Sequence, residues 1–172
     1  MSRNTKITAV VMAVLLIAVA VLAWLNRGNV QDRRAMQESG TFLVTAGDLQ
    51  FTISMDDVLK LGPQRISAVL RSGGRDGEPM VFAGVSLKSI LDSLGIDYSS
   101  SRGISFMAAD GYVSAILIAE ALDEENCFIV FEEDGQPLGT RERGGRGPYM
   151  MIMAKDHFSQ RWCKFLMEIV VS

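Results

Sequence analysis

Histidine occurs once in the 172 residues, cysteine twice and proline four times, and aromatic residues make up only 8%. The scarcity of histidine bears first on chemistry. A hydrolytic triad needs a base beside its nucleophile, and His157 is the one imidazole in the chain. No G-x-S-x-G turn accompanies it. Zinc sites gather three or four Cys, His or carboxylate ligands, and Cys127 and Cys163, 36 positions apart, do not make such a cluster with one histidine. A disulfide framework is excluded by the same count. Walker-type and G-x-G-x-x-G loops are absent, which leaves nucleotide chemistry without support. An excess of basic charge is also missing, for the formal net charge is −3. The first 26 residues hold Arg3 and Lys6 and no acid, so the remainder sets 15 basic against 20 acidic side chains. An acidic body does not neutralise phosphates along a duplex, and nucleic acid is not an expected partner.

The chain does have one long apolar run. Ile7 to Leu25 is 19 residues without a charge. At a rise of about 1.5 Å per residue it reaches roughly 28 Å, close to the hydrocarbon thickness of a bilayer. Arg3 and Lys6 precede it, and Trp24 is placed as an interfacial aromatic. A single transmembrane helix at 7–25, acting as a signal anchor behind a basic tail at 1–6, is the expectation. A cleaved leader is the alternative, with Ala18-Val19-Ala20 or Val21-Leu22-Ala23 as exit sites, although apolar leader cores usually span only about 7–15 residues. Either way the rest of the chain is exported, giving a single-pass cell-membrane protein with its domain on the extracytoplasmic side. Residues 26–40 are polar and without apolar periodicity, a tether. Residues 41–172 form one domain.

Within that domain short elements follow closely. Phe42–Val44 and Leu49–Ile53 read as strands joined at Ala46-Gly47-Asp48. Ser54 caps a short helix with Asp57 at its third position, and Gly62-Pro63 stops it. Ile66–Leu70 alternates as a strand, followed by a loop at 72–77. Val85–Gly95 is the clearest helix, capped by Ser86, with Leu87, Ile90, Leu91 and Leu94 on one face and Gly95 beyond its end. Strands are expected at Ile104–Ala108, Tyr112–Ile118, Cys127–Phe131, Tyr149–Met153 and Phe165–Val171. Many strands and few helices define an α+β domain with mixed or mainly antiparallel sheets.

Three features could carry chemistry. Met150, Met151 and Met153 suit a soft Cu(I) ion on one reading and plain packing on another, and packing is favoured because alternate strand residues face opposite ways. Arg141, Arg143 and Arg146 lie among glycines that would let backbone amides face a phosphate or other anion; the competing reading is a solvated loop balancing Glu132, Glu133 and Asp134. Asp110-Gly111-Tyr112 is a tight turn between strands. The two cysteines are small buried hydrophobes, or a single disulfide after export.

In order along the chain, Phe82-Ala83-Gly84-Val85-Ser86-Leu87, Phe106-Met107-Ala108-Ala109-Asp110-Gly111-Tyr112, Glu133-Asp134-Gly135-Gln136-Pro137-Leu138, Gly147-Pro148-Tyr149-Met150-Met151-Ile152 and Arg161-Trp162-Cys163-Lys164-Phe165 resemble the oxidoreductase molybdopterin-binding domain, the sulfite-oxidase-like fold. The resemblance runs from about Gly40 to the end. It implies a molybdopterin cofactor, whose metal the family holds through a pterin dithiolene and one Cys thiolate. The stretch similar to the family's ligand loop is Arg71-Ser72-Gly73-Gly74-Arg75, and Arg71 stands where that Cys would be. No side-chain ligand for a metal is therefore expected. The resemblance implies a cofactor site at Arg71, Gly73, Gly74, Arg75, Asp110, Tyr112, Arg141, Arg143 and Arg146.

Two functions follow from this. One is a membrane-tethered relative that binds a pterin or other small anion, with a membrane redox partner if it turns over. The other is a cofactor-free ligand-binding or partner-interaction module on the same fold. The absent thiolate weighs against catalysis at molybdenum, since a soft anionic ligand is what such a centre needs.

Overall fold

The computed structural model describes the backbone of residues 3–71 and 77–172, and the side chains of all these except residues 3–10 and 25–34. The chain divides into two compact units, Met1–Ala35 and Met36–Ser172. The first is helical and belongs to α1 (Arg3–Ser39). From Val11 to Trp24 the large apolar side chains are exposed, Trp24 by 68% and Leu16 by 65%. Among the described residues no helix is long and apolar enough to cross a membrane. The described part of the apolar run, residues 11–24, is about 21 Å of helix; the side chains of 7–10 and 25, which complete the expected span, lie outside the described residues.

Within the stretch expected as a polar tether, 26–40, residues 26–39 are helical and continue α1. The stretch has no proline, and its Gln, Arg, Ala, Met and Glu residues favour helix without needing an apolar stripe. Gly40 ends the helix at φ 63°, a conformation glycine adopts without strain.

The second unit holds two sheets. One has the order β2-β1-β10-β5-β6, built from β1 (Thr41–Ala46), β2 (Leu49–Ser54), β5 (Gly103–Ala108), β6 (Val113–Leu117) and β10 (Leu166–Val171). Strands β1 and β10 pair in parallel and the other neighbours are antiparallel. The other sheet runs β3-β4-β7-β8, from β3 (Gln64–Leu70), β4 (Glu78–Ser86), β7 (Cys127–Glu133) and β8 (Gln136–Pro137), with β9 (Met150–Met153) also paired to β7. Helices α2 (Met55–Lys60), α3 (Leu87–Ser93) and α4 (Ile118–Ala121) are short. This is the mixed α+β architecture expected.

Local chemistry sets several boundaries. Ser54 and Asp57 form the anticipated capping box on α2: the Ser54 hydroxyl accepts from the Asp57 amide, and the Ser54 amide donates to Asp57 Oδ2 at 3.1 Å. Helix α3 starts two residues later than expected, because Val85 and Ser86 end β4 while Ser86 still caps the helix. Strand β4 itself escaped the sequence reading. Pro79 and Gly84 look like breakers, yet Gly84 is required there: a Cβ would lie 2.3 Å from the Ile129 carbonyl oxygen of β7. The register shifts between Ala83 and Gly84 at the same point.

All four residues of β9 are fully buried, so its methionines fill core on both faces. Cys127 and Cys163 are free thiols and not a disulfide. Cys127 lies opposite Met153, whereas Cys163 bridges to Met151, which separates them along β9. Burial raises both thiols, Cys163 to about 12. Neither is a ready thiolate.

Candidate functional site

One segment gathers most of the polar chemistry of the domain. Residues 156–164 run from the end of β9 to the start of β10 as a strap pinned at successive positions. Arg161 is clasped from two sides: its Nε and Nη2 donate to Asp156 at 2.8 and 2.5 Å, and its Nη1 and Nη2 donate to Glu120 Oε1 at 2.9 and 3.0 Å. These carboxylates favour the charged guanidinium, with Asp156 the larger influence. The buried Ser114 hydroxyl donates to the Arg161 carbonyl at 2.7 Å, the Tyr112 hydroxyl to the Gln160 carbonyl at 2.7 Å, and the Trp162 indole to the Met153 carbonyl at 3.2 Å. With its backbone held from β6 and β9, the strap turns Ser159, Gln160 and Lys164 into a cleft of about 250 Å³ completed by Asp110, Tyr112 and Trp162.

The Asp110-Gly111-Tyr112 turn on the opposite wall has the geometry its sequence suggests. Gly111 sits at φ 89°, and the Tyr112 amide donates to Asp110 Oδ1 at 3.0 Å. Arg71, just past β3, joins the strap from the other side. Its carbonyl accepts from the Ser159 amide at 3.1 Å and the Ser159 hydroxyl at 2.7 Å, and its Nη1 lies 2.9 Å from His157 Nδ1. Arg71, Asp110 and Tyr112 are thus brought to one segment. Gly73, Gly74 and Arg75 lie outside the described residues.

The arginine-rich loop differs from its sequence reading. Its glycines do not aim amides at a ligand. The amides of Arg143 and Gly145 donate to the Thr140 carbonyl, Gly144 to Arg141, Arg146 to Leu138 and Gly147 to Gly139. A Cβ on Gly145 would lie 2.2 Å from the Leu138 carbonyl oxygen, so glycine serves close backbone packing. Arg146 Nη1 donates to both Glu133 oxygens at 2.9 Å, the charge balance the competing reading offered. The Arg141 guanidinium lies 5.9 Å from the Phe165 ring centroid. Phe165 connects the loop to the strap: its amide donates to the Arg146 carbonyl and its carbonyl accepts from the Ala109 amide, holding a non-glycine residue at φ 55°.

The sequence reading missed Ser159 and Gln160, which no motif marked, and gave His157 no partner. Trp162 and Lys164 were visible as a tryptophan–lysine pair before the last strand, without a stated role.

The donor set can be matched to a ligand by its chemistry. Lys164 and Gln160 offer hydrogens to acceptor oxygens, Tyr112 and Trp162 supply aromatic surface and Asp110 one carboxylate, while both donors of Ser159 are taken by the Arg71 carbonyl. That set fits a phosphate-bearing ring such as a pterin. It does not fit a molybdenum ion, because the described cleft offers no thiolate and both cysteines are buried in strands or their edges. Among the described residues no group of three or more Cys, His, Asp or Glu could hold a metal.

The class of protein follows from fold and cleft together. One mixed and one antiparallel sheet with few short helices, and loops between strands reaching one cleft, fit the sulfite-oxidase-like molybdopterin fold. The family model for the oxidoreductase molybdopterin binding domain matches residues 47–172, and the chain belongs to that family. Among solved structures, the sulfane dehydrogenase SoxCD from Paracoccus pantotrophus is similar with a TM-score of 0.62 and 14% identity, over 76% of this chain and 37% of that one. The likeness is one of fold, and this chain spans little more than a third of its length. A search of curated proteins finds no match.

Proposed function

We propose that this protein is a membrane-tethered, extracytoplasmic member of its family that binds a pterin or another small anionic ligand and does not turn over substrate at a molybdenum centre. The observation that carries this reading is Arg71. It occupies the position where the family resemblance implies a cysteine ligand, and it is engaged with His157 and Ser159. A cation there would repel a metal ion instead of ligating it. Lys164 and Gln160 would hold the anion, with Asp110 and Tyr112 at the cleft mouth. Arg141 and Arg143 would add long-range attraction. Anchoring at 7–25 rests on the apolar sequence and on the exposed side chains of residues 11–24, which are apolar nearly all round.

The test is the metal and pterin content of the full-length protein, expressed in a host that makes and exports the molybdenum cofactor. Elemental analysis for molybdenum and tungsten, with fluorescence of the oxidised pterin, covers both halves of the group. Pterin without metal is the expected result. Near-stoichiometric metal would sink the proposal. A folded protein with neither would favour the cofactor-free module.

A further inference from the structure

Strand β2 is an edge of its sheet, paired with β1 on one side only. Edge strands usually carry a lysine, a proline or a bulge that keeps a second strand from adding to them. β2 has none of these. Leu49-Gln50-Phe51-Thr52-Ile53 is uncharged, and its register with β1 runs unbroken from Thr41 opposite Ser54 to Ala46 opposite Leu49. The turn at 47–48 makes Ala46 and Leu49 the closing pair. In a two-residue hairpin that pair exchanges its own hydrogen bonds, and so does every second pair beyond it, Val44 with Phe51 and Phe42 with Ile53. The peptide groups of Gln50 and Thr52 therefore point away from β1. Among the described residues their N–H and C=O groups meet no backbone partner. The amide of Ser54, next in that series, is closed by its bond to Asp57.

A cleft of about 560 Å³ opens along the same edge, between β2, the end of α2 and α3. Its apolar lining is Phe51, Ile53, Leu61, Ile90 and Leu94, with Phe51 and Leu94 half-buried. Leu49, on the same face of β2 as Phe51, is 59% exposed. The edge thus offers unpaired peptide groups and, beside them, room for apolar side chains.

We propose that a second copy of this chain occupies that edge, β2 pairing antiparallel with β2 about a two-fold axis through Phe51. The hydrogen-bonding pattern selects both occupant and register. Gln50 stands one residue before Phe51 and Thr52 one after. The two-fold therefore sets Gln50 of each copy opposite Thr52 of the other, and their peptide groups bond one another in full. A register centred on Gln50 or Thr52 instead sets the other residue against the turn or the capped Ser54. Phe51 faces Phe51 across the axis, and Leu49 of each copy lies opposite Ile53 of the other, on the side of the cleft. With no charge between Leu49 and Ile53, the strand meets no like charge in its own copy. Two five-stranded sheets become one. A single added strand is a small interface, so the dimer is expected to be reversible.

Sedimentation velocity of the full-length protein in detergent micelles, over a concentration series reaching about 100 μM, reads the association directly. A dimer that dissociates on dilution is expected. Gln50→Lys with Thr52→Lys, both exposed positions, sets lysine opposite lysine at each bonded pair and should weaken dimerisation at least about tenfold while leaving the fold intact. A dimer that survives this change has its contact elsewhere, which overturns the proposal. So does a wild-type protein that stays monomeric, the result expected if the edge serves a different protein or a small apolar ligand. Register is read by cysteine cross-linking. Facing residues outside a hydrogen-bonded pair have Cα atoms about 4.5 Å apart, within disulfide reach. Phe51→Cys should therefore join two copies under mild oxidation. Thr52→Cys, whose copies lie diagonally about 7–8 Å apart, should do so at least about tenfold more slowly. Cys127 and Cys163 are fully buried and do not compete. Equal rates, or a faster reaction of Thr52→Cys, count against the two-fold at Phe51. Pterin and metal content enter none of these readings, so the dimer stands or falls apart from the function proposed above.

Discussion

The arginine-rich loop at 140–147 and the strap at 156–164 make opposite use of similar materials. Both are short irregular segments beside β9, and both carry several positive charges. In the loop the backbone amides of Arg143 to Gly147 are satisfied by carbonyls from Leu138 to Arg141, and Arg146 is paired with Glu133. The strap has its carbonyls held by Tyr112 and Ser114 and its one clasped arginine held by Glu120 and Asp156. Gln160 and Lys164 remain directed at the cleft. The difference shows why counting charges misplaces a site. An arginine or a glycine-rich turn can bind a ligand only with donors that the fold has not already used.

Substitution in each region should separate these roles. The largest expected effect is in the loop. Gly145→Ala forces a Cβ within 2.2 Å of the Leu138 carbonyl oxygen, and should cost about 3 kcal/mol of stability, as overpacking against backbone does. The shift of the urea midpoint measures it, and anion binding by the protein that remains folded should be unchanged. A wild-type midpoint would mean that the loop backbone gives way easily. Next comes Arg161→Ala in the strap, which leaves Glu120 and the mostly buried Asp156 without their partner. The Arg161 side chain is 38% exposed, so the expected cost is about 2 kcal/mol, between that of a surface pair and a buried one. Unlike the loop variant, this one should also weaken ligand binding well below the unfolding midpoint, because Ser159 and Gln160 lose their fixed backbone; intact affinity would show that the clasp only stabilises. The smallest effect is expected for Arg143→Ser. An exposed surface position should change stability by less than about 0.5 kcal/mol, and salt-screened attraction alone predicts a drop in anion affinity of at most about threefold. A larger loss would return the loop to the site.

Several elements were legible from the chain alone for stated reasons. Ser54 with Asp57, Ser86 before an apolar stripe, and Asp110-Gly111 each carry a local hydrogen bond or a glycine conformation that needs no distant partner, and each occurs where expected. Strand β4 was not legible, because the fitness of Gly84 depends on the carbonyl of Ile129 forty-five positions away. The strap was partly legible. Trp162 and Lys164 stood out as a pair, whereas Ser159 acquires meaning only from the Arg71 carbonyl, 88 positions distant in sequence.

The sequence by itself determined the α+β class, the family, the cap residues and the absence of a cysteine near the ligand loop, since these follow from local pattern and from which side chains exist. Tertiary structure decided which cations are free to meet a ligand. It paired Arg146 with Glu133, clasped Arg161 between Glu120 and Asp156, and set Arg71 against the His157 ring. Hydrogen-bonding capacity is a property of a residue, but its satisfaction is a property of neighbours brought together by the fold.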